Sequence, residues 1–237
     1  MNVEAIELAA AALGPKLLAD VAFLGAAAMP LWITEAGAPP PRPTRDVDVI
    51  VEVLSLGAYY RLGEKLRDQE FEENPDVRQL CAWKHRRYGL ELDVMPIDEH
   101  ILGFSNRWYG DALRTATDVA LPSGAVIRAV TPPYLLATKL EAFKGRGRGT
   151  GGALDYLGSR DFGDIVALID GRARFIEEVG VSEPAVRTAI ADDFRLMRAD
   201  FRFAGGVAGA LMPDNASQAR RSLVLERIDQ MIAAQSA

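Results

Sequence analysis

The run Asp46-Val-Asp-Val-Ile-Val-Glu-Val53 constrains the fold more than any other stretch of the chain. Side chains alternate across a β-strand. Val47, Val49, Val51 and Val53 therefore share one face, and Asp46, Asp48, Ile50 and Glu52 the other. The valine face demands a core behind it. The other face carries two carboxylates at i, i+2, whose Cα atoms stand roughly 7 Å apart from the strand rise alone. Aspartate is disfavoured in strands, so two at one strand start need a reason: an exposed edge, or a shared cation. A second run, Leu90-Glu-Leu-Asp-Val-Met-Pro96, repeats the pattern, with Leu90, Leu92 and Val94 on one face and Glu91 and Asp93 on the other. Paired beside the first strand, it brings Asp93 to Asp46 and Asp48; alone, Asp93 reads as a surface carboxylate. Three carboxylates suit a hard ion such as Mg²⁺ and, with it, a triphosphate, and one of them can accept the proton of an attacking hydroxyl.

Composition narrows the chemistry further. A chain of 237 residues makes one large domain or two small ones and buries a sizeable core. With 49% apolar and 25% charged residues, general disorder is excluded. A single cysteine, Cys81, excludes an internal disulfide framework and a cysteine-only zinc cage, and reads as buried and inert. With only two histidines, His85 and His100, a metal must be held mainly by carboxylates. The net charge of −6 speaks against a nonspecific nucleic-acid coat but not against an enzyme that grips one nucleic-acid end. Met1–Leu13 carries Glu4 and Glu7 and no early cation, so it is not expected to be a secretory signal. No apolar run approaches the ~18–20 residues of a membrane span. The expectation is a soluble, cytoplasmic protein without a membrane partner.

The pattern changes along the chain. Residues 2–19 predict a helix, Val21–Leu24 a strand, and Gly25-Ala-Ala-Ala28 a turn into a helix. Residues 36–45, with three consecutive prolines, predict a loop. A helix is expected over 57–69, strands over 77–88 and 90–96 joined at Tyr88-Gly89, and a hairpin around Pro122-Ser-Gly124. Thr131-Pro-Pro133 then starts a helix to about Phe143, followed by a glycine-rich loop at 145–152. Helical patterns fill 161–170, 172–180, 184–204 and 214–235. The expected fold class is α/β (α+β): a small mixed sheet with flanking helices over 1–130, then a helical C-terminal domain over 131–237 that completes a cleft.

Other residues hold two readings each. Lys139 lies beside a stripe of Leu135, Leu136, Leu140 and Phe143, so position alone makes it a solvated lysine. Asp161 and Asp164, at i, i+3, can face the same way, and Asp161 can also cap its helix. Gly147-Arg-Gly-Thr-Gly-Gly152 follows a helix rather than a strand, which rules out a dinucleotide fingerprint. It reads as a mobile flap whose Arg146 and Arg148 contact a triphosphate or acceptor, or as a plain solvated loop. Between 139 and 174, seven basic residues face five acidic ones, a modest cationic bias in an acidic protein. Trp83, Trp108 and Tyr109 read as packing residues, with base stacking by Trp108-Tyr109 as the alternative. His85, in Lys84-His-Arg-Arg87, reads as part of a solvated charged strand end.

Three motifs together carry a family resemblance. Strand–glycine turn–helix followed by Arg42-Pro-Thr-Arg-Asp46-Val-Asp48, then a strand bearing Asp93, is similar to the nucleotidyltransferase superfamily with the polymerase-β-like fold. Pro133-Tyr-Leu-Leu-Ala-Thr-Lys139-Leu-Glu-Ala-Phe and Ser159-Arg-Asp161-Phe-Gly-Asp164-Ile resemble the lysine helix and acidic motif of the AbiEii/AbiGii-type nucleotidyltransferase toxins. The resemblance covers roughly residues 20–172. It implies that Asp46, Asp48 and Asp93 bind Mg²⁺ or Mn²⁺ and that Asp93 helps activate the acceptor. It implies that Gly25 and Ala26 present backbone amides to the phosphates of a nucleoside triphosphate, ATP among them. Arg42 and Thr44 would join the nucleotide site, Lys139 would neutralise phosphate, and Asp161 and Asp164 would line the far side. The family usually has Gly-Ser or Gly-Gly where this chain has Gly25-Ala26, so one hydroxyl ligand is missing. The implied acceptor is RNA, such as a tRNA 3′ end, with a cognate antitoxin protein as partner. Transfer to a small-molecule antibiotic, or a catalytically silent nucleotide-binding or interaction module, are the alternatives.

Overall fold

The computed structural model describes residues 3–77, 79–149 and 151–234. Asn2, Arg78, Thr150 and Gln235, which fell within predicted elements, lie outside the described residues. The chain divides into two compact units, one made of residues up to Leu31 with Arg42–Thr131, the other of Trp32–Pro41 with everything from Pro132 onward.

The first unit is mixed α/β. Its strands are β1 (Val21–Leu24), β2 (Asp46–Val51), β3 (Phe71–Glu73), β4 (Ala82–His85), β5 (Glu91–Pro96), β6 (Thr117–Ala120) and β7 (Val126–Ala129). They form a single seven-stranded sheet in the order β3-β4-β5-β2-β1-β7-β6. β2 runs parallel to β5 and antiparallel to β1, and β1 runs parallel to β7. β4 with β5, and β6 with β7, form the two expected antiparallel hairpins.

One face of this sheet meets α1 (Glu4–Leu18) and α3 (Leu56–Asp68). Val47, Val49 and Val51 of β2 are buried there with Leu92 and Val94 of β5, as the alternation requires. Ser55 starts α3 by accepting a hydrogen bond from the Ala58 amide at 3.1 Å, and Tyr59, Leu62 and Leu66 form its buried stripe. The predicted helix at 2–19 is instead kinked at Gly14, whose φ of 67° is left-handed, just before Pro15, which has no amide to continue the ladder.

The strand expected over 77–88 is only Ala82–His85, because turn bonds precede it: the Val77 amide donates to the Asn74 carbonyl at 3.3 Å and the Ala82 amide to the Gln79 carbonyl at 3.1 Å. The three residues of β3 on its far side were not foreseen. Nor were the short helices α4 (Glu99–Leu102) and α5 (Tyr109–Arg114). His85 is buried rather than solvated. Its Nδ1 accepts from the Arg87 and Tyr88 amides at 3.2 and 3.3 Å, and its ring packs on Phe71 and Tyr88. Burial lowers its pKa, so the neutral imidazole serves as the lock of the β4–β5 turn.

A further helix, α2 (Gly25–Trp32), follows β1 without an intervening residue. The second unit is helical, with α6 (Pro132–Arg146), α7 (Arg160–Gly171), α8 (Phe175–Gly180), α9 (Pro184–Arg198), α10 (Phe203–Ala210), α11 (Asn215–Ala219) and α12 (Arg221–Ala233). α6 packs against α7, α8 and α9 and is buried along most of its length. The pattern at 184–204 splits because Asp200 accepts from the Arg202 amide at 3.0 Å and turns the chain. The pattern at 214–235 splits at Arg220, whose guanidinium reaches the buried Asp170 at 2.7 Å. Trp32–Pro41 joins this unit through named bonds. The Thr34 and Glu35 amides donate to the Gly171 carbonyl at 2.8 and 2.9 Å, and Arg227 pairs with Glu35 at 3.4 Å. No helix among the described residues is long and apolar enough to cross a membrane.

Candidate active site

The carboxylates of the first unit are set by strand register. In the parallel β2–β5 pair, Asp46 lies opposite Glu91 and Asp48 opposite Asp93. Neighbouring strands stand about 4.8 Å apart, so four carboxylates occupy one small patch on the face away from the valines. Asp46 is exposed, while Asp48, Glu91 and Asp93 are half-buried. Glu91, placed on this face by the sequence but not assigned a role, is the fourth member.

Electrostatics mark the patch as crowded. Burial, joined by the negative charges of Asp46 and Glu91, raises the Asp93 carboxyl to about 6. Burial also pushes the Cys81 thiol up to about 12, with Asp93 and Asp48 contributing, so the buried cysteine lies within reach of both aspartates. The Asp46 carboxylate accepts a hydrogen bond from the Thr44 hydroxyl. Arg42 is exposed in the loop before β2.

The glycine turn borders the same patch. Gly25 has φ 74° and opens α2 directly. A Cβ on Gly25 would lie 1.8 Å from Asp48 Oδ2 and 2.7 Å from its Cγ. Only a glycine lets the Asp48 carboxylate sit against this helix start, where the helix dipole favours negative charge. Ala26, the next residue, is buried.

Among the described residues, no three His, Cys, Asp or Glu side chains converge closely enough to form a metal-holding group. The donor chemistry fits a hard cation: hard oxygen ligands, mutual repulsion that adds to burial in raising Asp93, and a glycine that lets the Asp48 carboxylate lie against the start of α2. Their side chains share a face without meeting at one point.

The remaining site residues belong to the second unit. Lys139 of α6 is buried, not solvated, and its Nζ lies 2.7 Å from Asp164 Oδ2 and 3.3 Å from Asp161 Oδ1. Arg146 grips Asp161 with two bonds, Nε to Oδ2 at 2.7 Å and Nη2 to Oδ1 at 3.0 Å. The Asp161 carboxyl is buried, which alone would raise its pKa, but Arg146 and Lys139 overcome that and hold it below the usual carboxylate range. Asp161 does not cap α7; Ser159 does, accepting from the Phe162 amide at 3.4 Å. Two cations and two anions make a neutral cluster that ties α6 to α7. Arg146, read earlier as a loop residue facing a ligand, is the last residue of α6 and a partner of Asp161. Arg148 donates to the Lys144 and Gly152 carbonyls at 3.1 and 2.8 Å, and so braces the glycine loop. Trp108 is buried, with the Arg107 guanidinium 4.8 Å from its ring centroid, as expected of a packing residue.

No protein-family model matches the chain, and no curated protein matches it.

Proposed function

We propose that this protein is a metal-dependent nucleotidyltransferase that moves a nucleoside monophosphate from a nucleoside triphosphate to an acceptor hydroxyl. One observation carries the reading: β2–β5 register sets Asp48 beside Asp93, with Asp46 two residues upstream, next to the Gly25 helix start. Asp46, Asp48 and Asp93 would hold Mg²⁺ or Mn²⁺, which when bound neutralises phosphate charge and orients the triphosphate. The Gly25 and Ala26 amides at the start of α2, with Arg42 and Thr44 in the preceding loop of β2, would orient the phosphates. Asp93, with a pKa near 6 before any metal binds, is suited to take the acceptor's hydroxyl proton onto a carboxylate oxygen. The acceptor hydroxyl attacks the α-phosphorus in line, and pyrophosphate leaves with the electron pair of the broken bond. Lys139 is held by Asp161 and Asp164, so its cluster serves as framework of the second unit. The acceptor we favour is RNA, such as a tRNA 3′ end, which makes the protein a toxin with an antitoxin partner.

A silent nucleotide-binding module is the second reading, favoured by Ala26 in place of a hydroxyl residue and by carboxylates that do not converge. Four labelled nucleoside triphosphates, each offered with total RNA or an aminoglycoside panel and Mn²⁺, separate the readings. Label on RNA supports the proposal, label on an aminoglycoside moves the acceptor to a small molecule, and binding without transfer favours the silent module.

Asp93 supplies a pH-dependent prediction. Its folded pKa lies above its ordinary value of 3.8, so its protonated form favours the metal-free fold. That contribution is fully present below about 4 and is lost as pH rises through about 6. Asp93→Asn is therefore expected to raise the metal-free Tm at pH 7.5. It is also expected to abolish the Tm increase that Mn²⁺ gives the parent protein. Thermal melts with and without Mn²⁺ check both.

A further inference from the structure

A pocket of about 880 Å³ lies in the first unit at the end of β2 opposite to Asp46, lined by Val51, the last residue of β2, and Ile97, the residue after β5. Asp46 and Val51 are five residues apart on one strand, about 16 Å at the strand rise, so this is a separate place from the carboxylate patch. It lies beyond the carboxyl ends of the parallel pair β2 and β5, where open α/β sheets leave ligand crevices. The volume is within the ordinary range for small-molecule sites.

The lining has two characters. Val51, Leu62, Ile97 and Leu113 give an apolar floor. Arg61 and Lys65 of α3, one turn apart and so on one helix face, give two positive charges. The other cations of the pocket are committed. Arg114 pairs with Asp111 at 2.9 Å, and Arg128 Nη2 donates to the Leu113 carbonyl at 2.5 Å. Among the described residues, neither Arg61 nor Lys65 takes part in a hydrogen bond or ion pair. Two like charges one turn apart repel each other on a helix; a bound dianion relieves that repulsion. Asp20 and Glu52 border the pocket and are exposed, which disfavours purely anionic ligands and leaves the cationic edge at α3 as the place for an acid group.

We propose that this pocket binds a small phosphate ester, with its phosphate on Arg61 and Lys65 and its organic part on the apolar floor. A phosphate dianion matches two adjacent cations, and the arginine fork suits its oxygens. The site needs no metal and does not rest on the transfer reaction.

The test is isothermal titration of phenyl phosphate into the full chain with EDTA present, so that the carboxylate patch holds no metal. Saturable binding is expected, tighter than that of benzoate and absent for phenol. Arg61→Ala with Lys65→Ala should weaken it by roughly tenfold or more, the scale of losing charged hydrogen bonds. Both side chains are exposed, so the variant is expected to fold, and its far-UV spectrum confirms that. Asp46→Asn with Asp48→Asn should bind phenyl phosphate as the parent does. No saturable binding, benzoate binding as tight, unchanged affinity in the Arg61/Lys65 variant, or loss of binding in the Asp46/Asp48 variant each overturns the proposal.

Discussion

Gly25→Ala is expected to lose the proposed nucleotidyl transfer by about a hundredfold, the scale of an ångström-sized misplacement of reacting groups. Two effects act at once. Alanine at φ 74° is held in the left-handed region, and its Cβ falls 1.8 Å from Asp48 Oδ2 and 3.1 Å from Asp48 Cβ. Asp48 cannot retreat far, since its backbone is fixed between β1 and β5, opposite Leu24 and Asp93. Strain and overpacking together should cost roughly 2–4 kcal/mol of stability. The contact predicts non-additivity: adding Asp48→Ala to Gly25→Ala should recover part of the lost stability, because the colliding carboxylate is gone. Urea unfolding of the two single variants and the double variant measures this. Strict additivity would show that the collision is not the cause.

Lys139→Met should cost the fold about 3–5 kcal/mol, the usual loss when one partner of a buried ion pair is removed. Methionine fills the space, but Asp164 loses its 2.7 Å partner, and Asp161 keeps only Arg146. The contrast is Arg146→Ala, whose exposed side chain should cost about 1 kcal/mol or less. The pH dependence has a definite sign. Asp161 is held below its ordinary 3.8, so its contribution is present above about pH 4 and is lost as pH falls through the lowered value. Lys139→Met should flatten that acid loss. Urea midpoints of the two variants, from pH 3 to pH 7, check the ranking and the slope.

The carboxylate strands were legible because alternation is a local property. DVDVIVEV and LELDVMP each define two faces, and only their adjacency had to be supplied by the fold. The parallel direction of that pair was not legible, since it depends on the elements between, α3, β3 and β4. The two strands among them are too short to show a period: β3 has three residues and β4 has four. The breaks inside longer helical patterns were missed for a different reason. The breaks fall at Gly14, with its left-handed backbone angle, at Asp200, with its side-chain turn, and at Arg220, which pairs with Asp170. None of these alters the hydrophobic spacing. Lys139 shows the same limit. Its neighbours Asp161 and Asp164 were visible as residues, but their closing on the lysine depends on how α6 packs on α7. Gly25 was seen as a turn residue, while its fit against Asp48 belongs to β1–β2 pairing.

In the proposed function, Asp46 and Asp48 carry a metal-dependent transfer of nucleotide. The most direct measurement is incorporation of labelled nucleotide into total RNA by the parent protein and by Asp46→Asn with Asp48→Asn, with Mg²⁺ or Mn²⁺ and with EDTA. The parent should label RNA only when metal is present, and the double variant, with an unchanged far-UV spectrum, should not label it at all. Labelling by the double variant at the parent's rate would contradict the claim.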